Sequence, residues 1–216
     1  MSGVFFILFP ICFLVTAALQ QAQLVEYIIL PAMYNYFTKR DVPYVMAGVC
    51  FFWTYVVTAS LSVWAQSAAS PNGYNNNVRK WKVDVEGGRD DAALTEPRNR
   101  GFIAGPFGRI IAAHQVALES VPGFFAAVII ATAQKVPLDY RVSFSIIYTI
   151  LRIFHTILYV LDFDIVRAAT HVMSISCCAW LFIFAIVPGF ERQYYSTVMD
   201  VVRIRHSISD GNWTFG

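Results

Sequence analysis

The octapeptide RIFHTILY, residues 152–159, puts an arginine, a histidine and a tyrosine inside a run that otherwise reads as membrane helix. On a helix, Arg152, His155 and Tyr159 fall at i, i+3 and i+7 and share one face. Tyr148 lies about a turn earlier on that face and Asp162 about a turn later. A charge at bilayer depth costs at least about 2 kcal/mol, so this stripe must face the bundle interior, another subunit or a water-accessible cleft. Two neighbouring apolar segments carry polar groups of their own. FGRIIAAHQVALESVPGFF, residues 107–125, holds Arg109, His114, Gln115 and Glu119. The next segment opens with Arg167, followed by His171 and Ser174 on one face. Glu119 is too deep in its segment to snorkel easily, and Arg152 is its expected counter-charge.

Two readings of these residues stand side by side. In one, Glu119 and Arg152 form a buried ion pair that fixes helix register, with His155 and Tyr159 hydrogen-bonded to neighbouring helices. In the other, arginine, histidine and tyrosine on successive helices line a cleft for an anion. Arginine meets carboxylates in bidentate geometry, and a tyrosine hydroxyl is a donor suited to a thiolate.

The elements that must position these groups are membrane helices. Of 216 residues, 57% are hydrophobic and only 14% charged, and mean hydropathy is +0.53. Ordinary soluble domains carry about a quarter charged residues. The chain therefore reads as an all-α integral membrane protein whose solvent is the bilayer. The net charge of +2 comes without any block dense in lysine or arginine, so nucleic acid is not an expected partner. The four cysteines, Cys12, Cys50, Cys177 and Cys178, all lie in apolar segments and read as buried thiols. Neither a disulfide framework nor metal-ligand spacing is present in the pattern, and no metal is expected.

A spanning helix needs about 20 mostly apolar residues. Residues 42–68, 107–133, 142–161 and 165–187 meet that need. An earlier segment, residues 4–30, contains Pro10 as an expected kink and the polar patch Gln20–Gln23. It reads either as one span or as a short span followed by an interfacial helix ending near residue 40. Residues 4–19 lack the basic flank of a secretory signal and read as a membrane helix instead. The expected organisation is an N-terminal membrane helix or anchor over 1–41, a four-helix bundle over 42–190 with a polar loop at 70–106, and a polar tail over 191–216. The loop's PNGYNNN, EGGRDD and EPRNRG clusters are turn chemistry. Lysine and arginine are balanced between the two sides and assign no orientation.

RIFHTILY, together with AAHQVALESVPGFFAAV (residues 112–128), resembles the MAPEG family, the membrane-associated proteins in eicosanoid and glutathione metabolism. GYNNNVRKW, residues 73–81, is similar to the loop after that family's first helix. The likeness spans residues 42–187 and leaves 1–41 as an added N-terminal helix. It implies a left-handed four-helix bundle, assembled as a homotrimer, with glutathione held between subunits near one membrane surface. By the same likeness, Arg109, Glu119, Arg152 and His155 would bind glutathione, while Arg167 and Tyr159 would act on its thiolate.

The same resemblance exposes a departure. Where glutathione-binding members present arginine, asparagine and glutamate at i, i+4 and i+7, this chain has Ala112, Val116 and Glu119. The expectation is a partly degenerate glutathione site on a non-catalytic, structural or accessory subunit of a larger membrane complex. The alternative is a glutathione-dependent transferase or peroxidase acting on lipophilic electrophiles or hydroperoxides. An organelle (mitochondrial) or endoplasmic reticulum membrane fits either.

Overall fold

A computed structural model describes residues 2–21, 25–69, 106–187 and 189–190. Among these residues every regular element is helical. α1 is Ser2–Gln21, and a π-helical turn at Val25–Ile29 leads into α2, Leu30–Tyr34. α3, Val42–Phe52, continues through a second π-helical segment, Trp53–Thr58, into α4, Ala59–Ala69. Three long helices complete the described chain: α5 Pro106–Ala133, α6 Leu138–Leu161 and α7 Asp164–Ile186. The composite α3–α4 span, α5, α6 and α7 are each long and apolar enough to cross a membrane. The chain is an all-α, multi-pass integral membrane protein. The polar loop expected at 70–106 lies almost wholly outside the described residues, as do the GYNNNVRKW resemblance and the tail over 191–216.

The spans match the sequence pattern at most ends. α6 begins four residues earlier than expected because Pro137 precedes it and Asp139 sits in its first turn, both favoured at helix starts. Pro10 lies inside α1, whose helix runs on through it. Val25–Ile29 and Leu30–Tyr34 are helical, with turns from Asn35 onward.

The chain packs as two compact units. One comprises Met1–Tyr44, Ala126–Tyr148 and Val172–Gly216; the other comprises Val45–Phe125 and Thr149–His171. In the first, every residue of α6 from Val142 to Tyr148 is buried, so this stretch is covered on all sides. Trp180 on α7 stacks on Phe13 of α1 with ring centroids 4.1 Å apart, and its indole N–H donates to the Phe13 carbonyl at 3.1 Å. Lys39 pairs with Asp139 in the same unit. In the second unit, Ala113, Ala117, Val121 and Phe124 form the buried face of α5. Small residues at a turn's spacing let helix backbones approach closely, which drives packing where lipid supplies no hydrophobic force.

α5 ends in a tight turn with Lys135 at φ 56°. Its N–H donates to Thr132 O, and the Val136 N–H donates to Ala131 O, the paired bonds of a Schellman cap. Glycine normally fills this left-handed position, and Lys135 is exposed. Lys135→Gly is expected to stabilise the fold by about 0.5–1 kcal/mol, read as a higher thermal midpoint in detergent.

Candidate functional site

The turn between α6 and α7 sets the geometry of the site. Asp162 takes φ 67°, its N–H donates to Tyr159 O at 3.4 Å, and the Phe163 N–H donates to Leu158 O at 3.2 Å. This is again a Schellman cap, with aspartate, one of the few non-glycine residues at ease in the left-handed region, in the glycine position. The Phe163 carbonyl then accepts from the Arg167 N–H at 2.9 Å and starts α7. Only two residues separate the helices, so the C-terminal turns of α6 and the N-terminal turns of α7 are held side by side.

Arg109 ties α5 to this turn. Its Nε donates to the Val160 carbonyl at 3.2 Å, and its Nη1 pairs with Asp162 at 2.9 Å. The first contact satisfies one of the carbonyls that a helix C-terminus leaves without an internal partner. On α7, Arg167 pairs with Asp164 at 2.5 Å, and its guanidinium carbon lies 4.3 Å from the centre of the Tyr159 ring. That is cation–π geometry. Asp164 and the α7 amide ends also attract each other, since the first turn of a helix favours negative charge.

Deeper in the helices the stripe is buried. Arg152 is 6% exposed and His155 4%. The Arg152 Nη1 donates to the His171 Nδ1 at 3.2 Å. The His155 Nδ1 lies 3.0 Å from the Arg167 carbonyl, and Thr170 donates to that same oxygen at 2.9 Å. The His155 ring sits 5.3 Å from His171 and edge-on to Tyr159 at 5.8 Å. Arg152, His155, Tyr159, Arg167 and His171 thus form one cluster.

The α3–α4 span supports this cluster through a polar ladder. Trp53 donates to Thr156 at 3.3 Å, Thr156 donates to the Arg152 carbonyl at 3.0 Å, and Cys50 lies 3.3 Å from Thr149. Trp53 opens the π-helical segment and Thr58 closes it. Thr58 donates to the Thr54 carbonyl at 2.8 Å, so its oxygen accepts from the His114 Nδ1, 2.9 Å away on α5. The extra residue of a π-helical turn rotates the downstream helix face away from its regular α-helical direction. Here it lets one span reach α6 at its start and α5 at its end.

One expectation is corrected. Glu119 forms no ion pair with Arg152; it is exposed, and its Oε1 accepts from Gln115, one turn back on α5, at 3.2 Å. The guanidinium turns instead to His171, which the sequence pattern had placed near Arg167 without giving it a partner. Asp164 was missed in the sequence, although its i, i+3 spacing to Arg167 is a readable signal. Thr170 had no signal beyond its place one residue before His171. Among the described residues, no group of three or more His, Cys, Asp or Glu side chains is placed to hold a metal ion.

Comparison with known proteins agrees with this architecture. Residues 44–187 match the family model described as MAPEG family. No curated protein and no solved structure gives a significant match. With two thirds of its length matched and its polar stripe of Arg152, His155 and Tyr159 inside the matched region, this chain belongs to the MAPEG family.

Proposed function

We propose that the protein is a MAPEG-type membrane subunit with a partly dismantled glutathione site, serving a larger membrane assembly without catalysis. One observation carries this reading: the arginines expected to meet glutathione and its thiolate are turned on the chain itself. Arg109 is taken by Asp162 and Val160, Arg167 by Asp164 and Tyr159, and Arg152 donates to His171. Glutathione's carboxylates would have to displace these partners. On α5, Ala112 and Val116 offer no polar group where glutathione-binding members have arginine and asparagine. Each lost hydrogen bond to a charged ligand costs about 1.5–3 kcal/mol, so the two together weaken binding roughly 10²- to 10⁴-fold. The residues therefore fit glutathione poorly.

The added α1 also supports an accessory role. It covers part of α7 through Phe13 and Trp180, a surface that a plain four-helix chain would leave to lipid or to another subunit. An organelle, mitochondrial or endoplasmic reticulum membrane suits such a subunit, with other membrane proteins as its partners. The second reading, a glutathione-dependent transferase or peroxidase, is favoured by one retained feature: the Arg167 guanidinium over Tyr159, a donor pair suited to a thiolate. Isothermal titration of glutathione into the detergent-solubilised protein decides between them. No heat at millimolar ligand is expected; micromolar binding would overturn the accessory reading and favour the enzyme.

A further inference from the structure

The two histidines of the cluster carry their protons on opposite nitrogens. A backbone carbonyl only accepts, so the His155 Nδ1, 3.0 Å from the Arg167 oxygen, bears the hydrogen. Thr170, 3.4 Å from the same nitrogen, spends its own hydroxyl proton on that carbonyl and cannot reverse the assignment. In the neutral ring the other nitrogen, Nε2, is then a lone-pair acceptor. At His171 the logic inverts. A guanidinium only donates, so the Nδ1 facing Arg152 is the acceptor and the proton is on Nε2.

The His155 Nε2 is buried and has no hydrogen-bond partner among the described residues. A buried acceptor without a donor is costly, and native interiors rarely tolerate one without a reason. The missing group must be a donor. Against the neutral ring a carboxylate, phosphate or thiolate would set lone pair against lone pair, so the anion chemistry of the surrounding arginines does not extend to this nitrogen unless the ring takes up a second proton.

The nitrogen lies near one end of a helix long and apolar enough to cross a membrane. His155 lies six residues from the end of α6, about 9 Å along the helix axis. Tyr159, half-buried and edge-on to the ring, is the side chain that can turn aside.

We infer that the His155 Nε2 recognises a neutral hydrogen-bond donor, an alcohol-type hydroxyl on an amphiphile that enters from the bilayer at interfacial depth. This goes beyond the accessory reading and stands whether or not glutathione binds. The test uses the full chain in detergent micelles with ring-¹⁵N histidine. His155 is assigned by loss of its signals in His155→Phe, and the probes are 1-dodecanol, 1-methoxydodecane, 1-dodecanethiol and dodecanoate. His155 is expected as the Nδ1–H tautomer. Dodecanol should shift its Nε2 resonance saturably, the thiol more weakly, and the ether and the carboxylate at least about tenfold more weakly still, as expected for a lost buried hydrogen bond. A protonated Nε2, an equal response to alcohol and ether, or a resonance already fixed by trapped water would overturn the inference. The alcohol–ether comparison is made on the unsubstituted protein, so it holds even if His155→Phe fails to fold.

Discussion

Arg152→Leu is expected to destabilise the protein by about 3 kcal/mol, lowering the thermal midpoint in detergent by roughly 6–12 °C. Two losses add. The charge-assisted bond to the His171 Nδ1 disappears, a contact worth about 1.5–3 kcal/mol. The His171 nitrogen then loses the donor that met it, at a further cost of about 1 kcal/mol or more. The sign of the shift is the informative part. If the guanidinium faced acyl chains, its removal would relieve a charge at bilayer depth and raise the midpoint. Arg152→Lys keeps the charge but loses the rigid fork of donors, and should fall between the two.

The double variant Arg152→Leu/His171→Leu sharpens the test. Removing both partners leaves neither side of the contact orphaned, so the pair should be less destabilised than the sum of its single variants, by about 1–2 kcal/mol. Simple additivity would show that the 3.2 Å contact carries no coupling. Glu119→Gln is the control for the pairing expected from sequence. Its carboxylate is exposed and bonded only to Gln115 among the described residues, so its loss should not imitate that of Arg152. If both single variants fell by the same large amount, the Glu119–Arg152 ion pair would have to be reinstated.

That pairing shows where sequence reasoning held and where it ran out. Spans were legible because a bilayer demands long apolar stretches, and the four segments emerged within a few residues of α3–α4, α5, α6 and α7. The buried face of α6 was legible because helical periodicity puts Arg152 and His155 on one side of the axis. What periodicity cannot supply is the rotation of one helix against another. Arg152 had Glu119 and His171 as candidates on adjacent helices, and opposite charge made the wrong one attractive. The π-helical segment at Trp53–Thr58 was invisible for a related reason. An added residue in a turn leaves no trace in an apolar run, yet it decides that Thr58 meets His114. The resemblance makes Arg109 and Arg167 ligand groups; the sequence gives no sign that Asp162 pairs with Arg109, and for Asp164 and Arg167 only the i, i+3 spacing signals a pair.

Trp180→Ala is expected to be the most damaging single change at the added helix, at about 4 kcal/mol, with a loss of roughly 8–16 °C in midpoint. The ring stacks on Phe13 at 4.1 Å and packs with Phe144, Phe184 and Phe190, so truncation opens a void among aromatic neighbours. It also removes the N–H that meets the Phe13 carbonyl. Trp180→Phe keeps most of the stacking and loses the hydrogen bond, so it should cost about 1 kcal/mol plus a packing term. The local consequence separates a loosened α1 from general destabilisation. Cys12 on α1 is 4% exposed, whereas Cys178 is already half-buried. In a Cys178→Ala background, Trp180→Ala should speed maleimide labelling of Cys12 well below the melting range, while the buried thiols of Cys50 and Cys177 stay protected. Labelling of Cys12 at the parental rate would mean that α1 is held by contacts other than Trp180. The covering of α7 would then lose its chief support, and the accessory reading would lose the argument it draws from that helix.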